Sequence, residues 1–129
     1  MPNTIAVYYT DELMEWKRLI TFYNVEMAEL ENKLAEVIQR NTIPNIAVKV
    51  ENHQDKLNAA SEKFSWLEIQ IQQQEAALKT NSTLIDDTLI NTETEKRQNE
   101  LRRNMQQVEK EYIDARYECH NFLSGTLKK

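Results

Sequence analysis

From Leu13 to Val37, apolar side chains return after three and then four residues: Leu13, Trp16, Ile20, Tyr23, Met27, Leu30, Leu34 and Val37. An α-helix turns once in 3.6 residues, so a 3–4 alternation keeps these side chains in one stripe along the helix. A stripe of that length is buried only against other helices that carry the same repeat. A second run supplies one: Ile46, Val50, His53, Leu57, Ala60, Phe64, Leu67, Ile71, Gln74 and Leu78, with His53 and Gln74 as its polar members. A third follows in Leu101, Met105, Val108, Tyr112, Ala115, Cys119 and Phe122. The two steps of four from Arg97 through Leu101 to Met105 read as a stutter that locally unwinds the supercoil.

Start and stop signals bound three helices at about 11–40, 45–79 and 92–124. Thr10 reads as the first N-cap, with Asp11 and Glu12 in the turn where the helix dipole favours anions. Pro44 ends the first run, because proline cannot continue a helix. Thr92-Glu93-Thr94-Glu95 reads as a capping box, and Gly125 stands where a left-handed C-terminal residue belongs. The linker, residues 82–91, contains Leu84, Ile85, Leu89 and Ile90, enough for one or two helical turns capped by Ser82 or Thr83. Before the first helix, Ile5, Val7 and Tyr9 alternate with other residues and predict a short extended segment. Matched helix lengths and a short first connection predict an all-α, antiparallel three-helix coiled-coil bundle in one domain, residues 1–129. In architecture this resembles the three-helix coil of spectrin repeats. The third helix lacks the tryptophan of that family, and the likeness extends to no functional motif.

Composition narrows the function classes. Among 129 residues there is one glycine and there are two prolines, too few for the turns of a sheet-rich fold. Net charge is −5, spread along the chain: seven acids and four bases to residue 41, five and four to residue 81, nine and eight thereafter. Such a balance gives no electrostatic reason to bind nucleic acid or an anionic membrane. The lone Cys119 allows no internal disulfide, no apolar run is long enough to span a bilayer, and no signal-peptide pattern opens the chain, so cytoplasmic residence is expected.

Chemistry-bearing clusters are sparse. A carboxylate-bridged di-iron bundle needs Glu-x-x-His, but Val50 and Tyr117 stand three residues before His53 and His120. Cys119 and His120 leave a helix on different sides, which disfavours a nucleophile pair. No glycine-rich phosphate loop exists. These features predict a non-enzymatic protein with no cofactor and no metal. The alternative is a small-ligand or metal carrier built on the bundle core around His53, with Cys119 and His120 as possible companions.

What the heptads leave over points elsewhere. Phe22 and Trp66 fall at c positions and Val25 and Ile69 at f positions, away from the core stripe. In an antiparallel pair all four lie at the same height. Monomers rarely leave such an apolar patch bare. It could be covered by the N-terminal segment with Ile5, Val7, Tyr8 and Tyr9, by a second copy, or by another protein. A symmetric dimer is the commonest solution, so Phe22, Val25, Trp66 and Ile69 are the expected association surface of a structural or interaction module. A weaker spot lies where Asn91–Glu100 brings almost nothing apolar to Trp16, Ile20, Ile71 and Leu78. There Gln74 and Arg97, the latter stacked on Trp16, are expected to form a polar layer.

Overall fold

The computed structural model describes residues 4–40 and 43–127. Its order is α1 (Thr4–Arg40), α2 (Ile46–Ala77), a hairpin of β1 (Lys79–Thr80) and β2 (Thr83–Leu84), a 3₁₀ turn (Asp87–Leu89) and α3 (Thr92–Leu127). The three α-helices pack on one another as an all-α bundle, with α2 in contact with both others. The 3–4 stripes supply the core: Leu13, Ile20, Leu34, Val50, Phe64, Leu67 and Tyr112 are all fully enclosed. Each such apolar side chain contributes on the order of 1.5–3 kcal/mol before entropy is subtracted. The aromatic centre is Tyr23, stacked on Phe64 at 5.6 Å and tilted against Tyr112 at 4.9 Å.

Pro44 and Asn45 make the first turn. Ile46 N–H donates to the Ile43 carbonyl at 3.2 Å, and Asn45 sits at φ 68°, ψ 6°. Proline at the second position and a left-handed asparagine at the third are what a type II turn requires.

Several expectations give way here. Residues 4–9 are helical, not extended, because α1 begins at Thr4 and Thr10 lies inside it. Its cap is distant in sequence: the Asp87 carboxylate accepts from Thr4 Oγ1 at 3.1 Å, Ile5 N–H at 3.0 Å and Ala6 N–H at 3.2 Å. Residues 1–3 of the expected extended segment lie outside the described residues. The linker opens with a hairpin, with Lys79 opposite Leu84 and Thr80 opposite Thr83, and its one helical turn is the 3₁₀ turn Asp87–Leu89, capped by Asp86 rather than by Ser82 or Thr83. Asn81 and Ser82 both take positive φ, 52° and 67°, as a two-residue type I′ connection demands. Helix α3 is capped by Asn91, whose Oδ1 accepts from Thr94 N–H at 2.8 Å, rather than by Thr92. It runs through Gly125, which therefore does not terminate it. The stutter is absent too. Arg97 is exposed, while Thr94 and Gln98 are buried and carry the repeat in steps of four, three and four to Leu101 and Met105.

Candidate functional site

The heptad geometry puts c and f positions on the outside of each helix, and Phe22, Val25, Trp66 and Ile69 are 56%, 56%, 48% and 54% exposed. They do not share one groove. Ile69 borders the groove between α1 and α2, with Thr21, Ser65 and Gln72, beneath the Lys17–Glu75 ion pair at 3.2 Å. Trp66 borders the groove between α2 and α3, with Asn104, Gln107 and Val108. Phe22 lies edge-on to Tyr23 at 5.9 Å. Among the described residues of the N-terminal segment, none folds over them. Ile5, Val7 and Tyr8 are themselves exposed, held out along α1, and Ile5, Tyr8 and Tyr9 line a groove with Asp87 and Ile90.

The polar layer forms around Gln74 as expected, but its other members are Gln98, Glu12 and Arg102 rather than Arg97. Gln74 Nε2 donates to the Thr94 carbonyl at 2.9 Å and to Gln98 Oε1 at 3.0 Å. Gln98 Nε2 in turn donates to Glu12 Oε1 at 2.8 Å and to the Tyr9 carbonyl at 3.2 Å. Arg102 closes the chain with a two-pronged contact to Glu12, at 2.6 and 2.7 Å. One relay, buried at Gln74 and Gln98 and partly exposed at Glu12 and Arg102, thus ties α2 to α3 and α3 to α1. Arg97 takes no part; it lines a small cleft of about 100 Å³ with Trp66, Leu101 and Asn104, away from buried Trp16. Gln98 was findable, since it continues the 3–4 spacing upstream of Leu101. Glu12 and Arg102 carried no signal, because an ion pair between distant segments leaves no pattern along the chain.

Two heptads higher the same motif recurs between α1 and α3. Glu26 accepts from Tyr112 Oη at 3.0 Å and from Arg116 at 2.8 Å, and Tyr23 Oη donates to Glu109. Burial, then the Glu109 carboxylate, pushes the Tyr23 hydroxyl up to about 12. Burial, then Glu26, raises Tyr112 as well. Both hydroxyls therefore stay protonated donors. They fix helices rather than exchange protons near neutral pH.

His53 stacks on Phe122 at 4.7 Å, and its Nδ1 is buried without a partner among the described residues. Burial and the neighbouring Lys56 lower its pKa, against an opposing pull from Glu118. Cys119 is fully buried, and burial pushes its thiol up to about 11. The next residue, His120, is exposed. No group of three or more His, Cys, Asp or Glu side chains is placed to hold a metal among the described residues. No helix among the described residues is long and apolar enough to cross a membrane. Comparison of the chain with known protein families, curated proteins and solved structures finds no match.

Proposed function

We propose that this chain is a non-enzymatic structural or interaction module that self-associates through its outer apolar side chains. The observation that carries this reading is that Phe22, Val25, Trp66 and Ile69 stand about half exposed outside a core that is already closed. Exposed aromatic and branched side chains in such number are what association removes from water. A cytoplasmic setting and a role as an adaptor or chaperone-like partner are consistent with the mildly acidic, mixed surface charge. The carrier alternative rests on His53, whose Nδ1 is buried without a partner among the described residues but whose ring is stacked on Phe122, and no cluster of three or more metal-ligating side chains forms among the described residues.

Sedimentation velocity across a range of concentrations tests the proposal. The wild-type chain should sediment as a concentration-dependent dimer, and Trp66→Glu as a monomer. If both sediment alike as monomers, self-association is wrong.

A further inference from the structure

The outside of α2 carries a second repeat, distinct from the stripe that faces the core. Ala59, Glu62, Trp66, Ile69, Gln73 and Ala76 follow one another at steps of three, four, three, four and three, and all six are exposed. That spacing sets them in a single line, about 25 Å long at 1.5 Å per residue. Asn58, Ser65 and Gln72 flank the line on one side, and Lys63, Gln70 and Ala77 on the other. Glu62 and Lys63 are the charged residues of this strip, in a chain where 29% of residues are charged, and Lys63 is held by Glu111 at 2.7 Å. The matching face of α1 around Phe22 and Val25 carries Glu15, Arg18, Glu26 and Glu29. Depletion of charge around an aromatic anchor marks the middle of an interface.

The line reads the same from either end: small, polar, large, large, polar, small. A helix ordered in this way is complementary to a second copy of itself running in the opposite direction. With a two-fold axis between Trp66 and Ile69, Trp66 meets Ile69 of the second copy. Glu62 then accepts from the Gln73 amide of the second copy, and Ala59 faces Ala76, where small side chains let the helices close up. A parallel pairing would set Glu62 against Glu62 and Trp66 against Trp66, with like charges opposed. Resting on the self-association proposed above, we infer that the dimer forms by antiparallel pairing of α2 with α2 about this axis, with the α1 face left outside. One helix pair is a small interface, so affinity lies at the weak end, about micromolar.

Disulfide trapping in the full chain reads the pairing directly. In Ala59→Cys/Ala76→Cys, residue 59 of one copy lies against residue 76 of the other, within the roughly 5.5–6 Å Cα separation a disulfide takes. Mild oxidation should give a covalent dimer on a non-reducing gel. Each single variant should stay uncrosslinked, because residue 59 is at least about 25 Å from its own counterpart. Buried Cys119 does not compete. Trp66→Ala should weaken association by about 30-fold or more, whereas Phe22→Ala should change it less than about threefold. Circular dichroism establishes that each variant is folded. If the wild type is a dimer but the double variant traps no better than the singles, or Phe22→Ala is as damaging as Trp66→Ala, the α2 pairing is overturned while self-association stands. A monomeric wild type overturns both.

Discussion

Gln74 hands its amide hydrogens to α3 and leaves Oε1 buried without a partner among the described residues. A buried acceptor left unpaired costs about 1–3 kcal/mol, so the layer is retained at the expense of stability. Replacing only Gln74 by leucine would strand the Gln98 carbonyl in turn. Replacing both removes the glutamine bridge between α2 and α3, while Glu12 keeps its two-pronged contact with Arg102. The prediction is that Gln74→Leu/Gln98→Leu raises unfolding free energy in urea by about 1–3 kcal/mol, and that Gln74→Leu alone gains less than the pair. An equal gain from the single variant would show that Gln98 does not depend on Gln74. Buried polar residues of this kind serve elsewhere to select one helix register, and two glutamines joined across the core suit that role.

At the level of elements, the start of α1 depends on the linker. Desolvation pushes the Asp87 carboxyl up, but the bonds from Ile5, Ala6 and Thr4 outweigh it and hold it below the usual carboxylate range. A carboxylate held low in the folded state stabilises the fold at neutral pH. That contribution is lost as pH falls through the lowered value. Hydrogen exchange should therefore find Ile5 and Ala6 protected at pH 7 and progressively exposed in acid, and Asp87→Ala should expose them at every pH. Unchanged protection in Asp87→Ala would refute the cap. This element also marks how far the sequence could be read. The bodies of the three helices were legible because Leu, Ile and Phe at 3–4 spacing admit one arrangement. The start of α1 was not, since its capping residue lies about 80 positions away and Ile5, Val7 and Tyr9 mimic a strand. The hairpin hid because Asn81-Ser82 lacks the glycine that usually announces a type I′ turn. The start of α3 was legible at Thr92, but the packing of its first turns was not, because the residues buried there, Thr94 and Gln98, are polar. Exposure of the four outer residues followed from their heptad positions, but the placing of Ile69 and Trp66 on two different grooves required the three-dimensional packing.

For the molecule as a whole, association and stability are linked. A dimer that dissociates before or as it unfolds melts at a temperature that rises with protein concentration. Thermal scans of the wild type from about 1 to 100 times the dissociation constant should drift upward by a few degrees. Trp66→Glu should melt at one temperature throughout, and a concentration-independent wild-type melt would argue against the dimer. Within each copy, the paired contacts of α1 with α3 have a further effect. Glu12 meets Arg102 and Glu26 meets Arg116, the same 90-residue offset twice. Slide α3 by one heptad in one direction and Glu12 faces Glu109; slide it in the other and Glu12 faces Glu95 while Glu26 faces Glu109. Leucines and isoleucines would tolerate either slip, since one oily layer resembles the next. The carboxylates do not, and a chain that collapses out of step is driven apart before it can settle, as mismatched teeth on a zip refuse to mesh.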